Sequence, residues 1–273
     1  MPVTLGRHSD RLMAVRALQT VKGRREQRRF CFEGTTLLQE AADAGFPIEE
    51  LYATQESYAS IGLVRELEGG GVATFIVSPD SAERISALTT ATGVLAVGPT
   101  RMRGLAELLG PAGFVLVLAD LNDPANAGTL LRSADAFGCD GVVVGSIGVD
   151  PYHPKVVRGS MGATFRLPLS VTDSRAFSDA ARAASVHVVG LCATGRQIAE
   201  QEWGRPLAVV VGNERHGLGN WQAACADLVG IPMRSRVESL SAGVAGSIAL
   251  FAACGNELPA KVKTTGAKSR MVY

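Results

Sequence analysis

Three short segments of this 273-residue chain combine residue types that can do chemistry with spacings that can bring them together. The first, DLNDPANAGTLLRSAD at Asp120–Asp135, follows an apolar run and reads as a loop opening into a helix near Asn126, whose carboxamide can serve as the N-cap. Gly128 and Arg132 are four apart and share a helix face, so the glycine leaves room into which the guanidinium can project. An arginine on the early turns of a helix, where the N-terminus already favours anions, suits a phosphodiester. The plainer alternative is a surface ion pair of Arg132 with Asp123 or Asp135. The second segment, Gly212–Leu218 (GNERHGL), is a glycine turn whose Asn213 and Glu214 can present polar groups to a small molecule. It lacks the Lys-Ser/Thr of a phosphate-binding P-loop. The third runs Ile231-Pro232-Met233 and then Ser239–Phe251, where Ala242, Ala245 and Ala249 allow a helix to approach another backbone closely.

The elements that must hold these segments follow from hydrophobic pattern. Phe114–Ala119, Gly141–Val144, Val186–Leu191, Leu207–Val211 and Leu228–Ile231 are continuous apolar runs with helical stretches between them. Such runs suit strands of a mostly parallel sheet buried on both faces, with a ligand at the strand carboxyl ends. Upstream, Phe30–Phe32, Leu51–Ala53, Thr74–Val77 and Gly93–Val97 read as strands. Helices are expected over Arg11–Val21, Thr35–Ala44, Tyr58–Leu67 and Ser81–Leu88, which makes a first α/β domain. The expected organisation is a first domain at 1–98, a linker at 99–113, a second domain at 114–258 and a basic tail at 259–273.

Composition narrows the class. With 47% hydrophobic and 19% charged residues the chain is not mostly disordered, and it has no apolar run long enough to span a membrane. Its five cysteines are scattered and never spaced as CxxC, so neither a disulfide scaffold nor a zinc ribbon is expected, and a cytoplasmic location is. The four histidines lack metal-ligand spacing, and no metal is expected. A formal net charge of +1 conceals an asymmetry: residues 1–30 hold eight basic side chains against two acids. A basic segment on a near-neutral body is the electrostatic footprint of nucleic-acid binding. No GxGxxG follows any expected strand, which argues against a dinucleotide enzyme.

Taken in order, the three segments resemble the signature motifs of the SpoU (TrmH) branch of the SPOUT RNA 2′-O-ribose methyltransferases. Asn126, Gly128 and Arg132 match the first motif; Gly212, Asn213, Glu214 and Gly217 the second; Ile231-Pro232-Met233 with Ser239-Leu240 the third. Arg29–Glu40 and Ala87–Val97 look like that family's amino-terminal RNA-substrate domain, and Lys155–Gly162 like the segment following the first motif in relatives acting on ribosomal RNA. The resemblance implies a SPOUT-type α/β catalytic domain with a carboxy-terminal trefoil knot, a homodimer, and S-adenosyl-L-methionine as methyl donor. It implies a cofactor site at Leu191, Cys192, Ala193, Val211, Gly212, Asn213, Ile231, Met233, Ser239 and Leu240. It places Arg132, Asn126, Glu214 and Ser239 in the catalytic set, and Arg24, Arg25, Arg28, Arg29, Arg132 and Arg158 at the RNA. Large-subunit (23S) ribosomal RNA is the expected substrate, with transfer RNA, or a non-catalytic RNA-binding factor on the same scaffold, as alternatives. One departure stands out: Ser241 and Gly243 occupy positions where the family usually carries Asn and a small polar residue. A hydroxyl offers fewer hydrogen-bond partners than a carboxamide.

Overall fold

The computed structural model describes residues 2–234 and 239–255. Eleven strands among them form two sheets: β1 (Val3–Thr4), β2 (Arg29–Glu33), β3 (Glu50–Thr54), β4 (Ala73–Val77) and β5 (Val94–Pro99) in the first, and β6 (Phe114–Leu118), β7 (Gly141–Gly145), β8 (Leu169–Thr172), β9 (His187–Gln197), β10 (Leu207–Val211) and β11 (Asp227–Gly230) in the second. The first sheet has the order β1-β4-β3-β5-β2 and is mixed, β5 running antiparallel to both its neighbours. The second has the order β11-β9-β10-β6-β7-β8, and every pairing in it is parallel. β6, β7 and β10 are buried along their whole length, as a sheet covered by helices on both faces requires.

The order of the second sheet locates the site. From β6 the chain steps outward through β7 to β8, then crosses to the other side for β9, β10 and β11. Strand order therefore reverses between β6 and β10, the place where an open α/β sheet leaves a crevice at its carboxyl ends.

Several features differ from, or sharpen, the sequence expectation. The helix expected over Arg11–Val21 is two helices, Asp10–Ala17 and Val21–Gln27, because the Thr20 side chain caps the second by accepting from Gly23 N at 3.0 Å. The turn is tight enough that a Cβ on Gly23 would lie 2.0 Å from the Ala17 carbonyl oxygen. The stretch at 99–113, expected as a linker, packs against the second unit. Met102 forms a bridge to Leu169, Arg103 N donates to Leu169 O at 2.8 Å, and Leu108 and Leu109 are buried. The expected tail at 259–273 lies outside the described residues.

The two sheets share one apolar core. Phe30, Phe32 and Phe46 from the first unit meet Tyr152 and Phe165 from the second, with ring centroids 4.5 Å apart for Phe30–Tyr152 and 4.7 Å for Phe32–Phe165. Polar struts reinforce that junction: Arg166 spans Glu40 at 2.7 Å and Asp135 at 2.8 Å. Among the described residues no helix is long and apolar enough to cross a membrane.

Candidate active site

A cavity of about 320 Å³ opens at the carboxyl ends of β10 and β11, beside the middle of β9. Its walls come from all three sequence segments. Val211, Gly212, Asn213, Glu214 and Gly217 close one side, and Leu191, Cys192 and Ala193 another. Val229, Gly230, Ile231 and Met233 and Ser239 to Ala242 complete it, with Asn126 reaching in from the first segment. Every residue expected to touch the cofactor therefore lines one chamber.

Local geometry shows why these residue types are needed. Asn213 N and O exchange hydrogen bonds with Gly217 O and N at 2.8 and 2.9 Å, which closes the second segment into a tight loop. Gly217 sits at φ +60°, and a Cβ on Gly212 would come within 2.4 Å of the Gly217 carbonyl carbon, so a side chain fits badly at either position. The Asn213 side chain accepts from Arg215 N and donates to Asp120 O at 2.8 Å, tying the end of β10 to the end of β6. Asp120 is itself held at φ +52°, and its carboxylate accepts from Trp221 Nε1 at 2.7 Å. Sequence reading passed over Asp120 and Trp221. The signal available was an acid placed directly after a buried strand.

Asn126 joins the three segments. Its Nδ2 donates to Glu214 Oε1 at 2.9 Å, and its Oδ1 accepts from Gly243 N at 3.2 Å. It is not the N-cap expected of it. The helix runs Pro124–Ala136 with Asp123 as cap, accepting from Ala125 N, since an Asp-Pro pair starts a helix better than a residue two positions further in. Freed from capping, the Asn126 carboxamide turns toward the other loops. A Cβ on Gly243 would lie 2.9 Å from Asn126 Oδ1, so a side chain at this position would require the Asn126 carboxamide to shift. Ser241 caps helix Ala242–Cys254, accepting from Val244 N at 3.3 Å, a role that Ser and Asn fill about equally well.

The room expected above Gly128 is also corrected. A Cβ there would meet Gly159 Cα at 2.9 Å and Val156 O at 3.0 Å, so that space is filled by helix Pro154–Gly159. Arg132 instead lies on the exposed stripe Ala125, Thr129, Arg132 and Ala136, outside the cavity wall. Neither acid that could have paired with it does so: Asp123 caps the helix and Asp135 binds Arg166. Among the described residues the Arg132 side chain has no hydrogen-bond or ion-pair partner.

The basic residues expected at RNA divide. Arg25, Arg28 and Arg158 are exposed. Arg24 is corrected: its side chain is 2% exposed and bound through Nε to Asp150 Oδ2 at 2.8 Å, with Nη1 donating to Leu18 O. Arg29 is corrected as well, its guanidinium pairing with Glu49 at 2.7 Å and Glu50 at 3.0 Å. Both side chains spend their charge inside the protein.

The cavity chemistry suits a cationic, largely apolar guest. Among the described wall residues Glu214 is the one charged side chain, and no Lys or Arg is present to meet a phosphate. The Cys192 thiol is held below the usual thiol range by its hydrogen bonds with the side chain and backbone of Thr194. No group of His, Cys, Asp and Glu able to hold a metal occurs among the described residues.

Fold and site together define a class: a parallel α/β cofactor-binding enzyme unit joined to a mixed-sheet α/β unit. Comparison with known proteins gives the family. The chain belongs to the SpoU rRNA Methylase family, whose model matches residues 113–251, and residues 10–96 match the MRM3-like substrate binding domain. It is 28% identical to the 23S rRNA (guanosine(2553)-2′-O)-methyltransferase RlmP of Bacillus subtilis, over 86% of this chain and 92% of that one. Among solved structures it resembles the AdoMet-bound rRNA methyltransferase of Sinorhizobium meliloti, with TM-score 0.81, 28% identity, and coverage of 93% of this chain and 97% of that one. A second likeness is the SpoU methyltransferase AviRb of Streptomyces viridochromogenes in complex with AdoMet, with TM-score 0.81, 28% identity, and coverage of 90% and 97%.

Proposed function

We propose that this protein transfers a methyl group from S-adenosyl-L-methionine to a ribose 2′-hydroxyl of RNA, with 23S ribosomal RNA as the substrate class. The observation that supports this most is the cavity built by all three motif segments, with a carboxylate as its one charged wall residue among those described. Such a wall favours a cation over a phosphate-bearing cofactor. Bound there, S-adenosyl-L-methionine supplies a methyl group already activated on a sulfonium sulfur. The Gly212–Gly217 loop and the Ile231–Met233 and Ser239–Leu240 segments hold it, largely through backbone groups. Asn126 and Glu214 keep those loops in register, so the approach of the hydroxyl is fixed before reaction, where much of the rate of an in-line displacement originates.

Arg132 faces solvent unpaired and is available to an RNA phosphate. A guanidinium hardly deprotonates in a protein, so Arg132 acts by binding the phosphodiester and stabilising negative charge developing on the 2′-oxygen. Arg158, Arg25 and Arg28 extend the positive surface. The first unit presents RNA, and the second carries the reaction.

The active form is a homodimer. Val244, Ile248 and Phe251 form an exposed apolar stripe on helix Ala242–Cys254, with Phe251 63% exposed. That helix lies beside helix Pro124–Ala136, where Ser133 and Ser247 meet at 2.7 Å and Phe251 packs on Phe137. A second copy covering it would bring an active site to the interface. The trefoil crossing, with the carboxy-terminal helix drawn through a loop of the preceding chain, and a cytoplasmic location belong to the same reading.

The test is methyl transfer from labelled S-adenosyl-L-methionine to unmodified 23S, 16S and transfer RNA, presented separately and as assembled subunits. Label confined to 23S RNA is the expected result. Label confined to transfer RNA would replace the substrate class, and cofactor binding without transfer to any RNA would overturn the enzymatic reading.

A further inference from the structure

Helices Asp10–Ala17 and Pro79–Ile85 lie side by side on one face of the first sheet, pinned to it by Leu12, Val15, Ala82 and Ile85. Along the seam between them is a cavity of about 150 Å³ lined by Arg7, His8, Arg16 and Arg84 together with Leu12 and Ile85. Arg7 is anchored by Asp80, 3.2 Å from its Nε. Among the described residues the side chains of His8, Arg16 and Arg84 have no hydrogen-bond or ion-pair partner, and all three are exposed. A concave, low-dielectric surface lined by one sign of charge concentrates its field on whatever anion enters.

The seam leads toward the catalytic unit. Gln19 donates to Ile85 O at 2.7 Å across it, and beyond that bridge Gln19, Ala87 and Leu88 meet Pro154 and Arg158 around a small cleft. Arg158 belongs to the helix whose Gly159 packs on Gly128, one turn before Arg132. Arg158 thus stands at this second cleft, which also carries the Glu33 carboxylate.

We propose that the Arg7–His8–Arg16–Arg84 cavity is a phosphodiester-binding subsite that anchors an RNA strand lying along this seam toward Arg158 and Arg132. The proposal rests on the RNA reading above and adds a site to it. Guanidinium forks match phosphate oxygens, the kind of contact that positions a strand without itself carrying sequence information.

The experiment uses the full chain. RNA affinity is measured against salt concentration for the wild type, for Arg16→Ala/Arg84→Ala, and for Arg84→Glu, with S-adenosylhomocysteine binding as the folding control. In parallel, inorganic phosphate is titrated while the His8 ring is followed by NMR. The double variant is expected to bind RNA more weakly and to reduce the slope of log affinity against log salt by roughly 1.5, at about 0.7–0.9 for each phosphate that the protein no longer neutralises. Arg84→Glu is expected to weaken binding further, and phosphate is expected to shift the His8 signals in the wild type only. An unchanged salt slope in a folded double variant would overturn the subsite. Phosphate binding with an unchanged RNA slope would overturn it too, assigning the cavity to a free anion. A wild type with no RNA affinity at all would be seen before any variant is compared, and would remove the RNA reading itself.

Discussion

Replacing Asn126 tests whether one carboxamide holds the three segments together. Asn126→Ala deletes the donor to Glu214 at 2.9 Å and the acceptor for Gly243 N at 3.2 Å. At about 1 kcal/mol net per hydrogen bond, with Glu214 exposed and so near the low end for a charged partner, the loss is about 2 kcal/mol. If those bonds preform the cavity, the loss appears as roughly 30-fold weaker binding of S-adenosylhomocysteine by titration calorimetry. Asn126→Asp separates the two arms. It keeps an acceptor for Gly243 N but sets a second carboxylate against Glu214, a repulsion of about 1–2 kcal/mol at an exposed site. The near-isosteric change is therefore expected to cost as much as alanine or more. Adding Glu214→Gln reverses donor and acceptor across the same gap, and is expected to recover most of the affinity. An Asn126→Asp variant milder than Asn126→Ala, or one that Glu214→Gln leaves unrescued, would refute the claim that this pairing organises the loops.

Other outcomes follow from the same geometry. Arg24→Ala leaves Asp150 without its partner and removes a guanidinium that is 2% exposed; it is expected to destabilise the chain by about 3–5 kcal/mol in chemical denaturation, and a change below ~1 kcal/mol would return Arg24 to the surface charges. Gly128→Val forces a side chain into Gly159 and the Val156 carbonyl, so the helices must part; a loss of stability of about 1–3 kcal/mol is expected, and wild-type stability would show that the space is not filled. The lowered pKa of Cys192 raises its thiolate fraction near neutral pH, so it is expected to react with iodoacetamide before the other cysteines, its rate levelling off at lower pH than that of a free thiol. Cys31, pushed up to about 12 by burial, is expected to stay inert. S-adenosylhomocysteine should protect Cys192, and unprotected alkylation would place the cofactor elsewhere.

What was legible in the sequence follows physical lines. β6, β7 and β10 are visible as continuous apolar runs because helices cover both their faces. β8 (LSVT) escapes because it lies at the sheet edge, where Val171 is 43% exposed and the run is broken by Ser170. The helix expected over Tyr58–Leu67 is two, Gln55–Ser60 and Gly62–Gly69, since Ile61 adopts an extended backbone between them, something its apolar spacing does not betray. In the site, the ten dispersed positions that the family resemblance implied for the cofactor line one cavity. The errors were all of partnership. Arg24 reads as one of a basic cluster until Asp150 arrives from 126 residues downstream, and Gly128 reads as open space until Gly159 fills it. Local pattern cannot report an interaction whose other half lies in a different element.

The central claim is tested most directly by the chemistry of the product. Wild type and Arg132→Ala are incubated with tritiated S-adenosyl-L-methionine and unmodified 23S RNA, and the RNA is then hydrolysed in alkali. A blocked 2′-oxygen prevents cleavage at the methylated nucleotide, so label in an alkali-resistant dinucleotide is predicted for the wild type. None is predicted for Arg132→Ala, while that variant still binds S-adenosylhomocysteine. Label released as a mononucleotide would mean methylation away from the ribose, and full transfer by Arg132→Ala would contradict the role assigned to the exposed arginine.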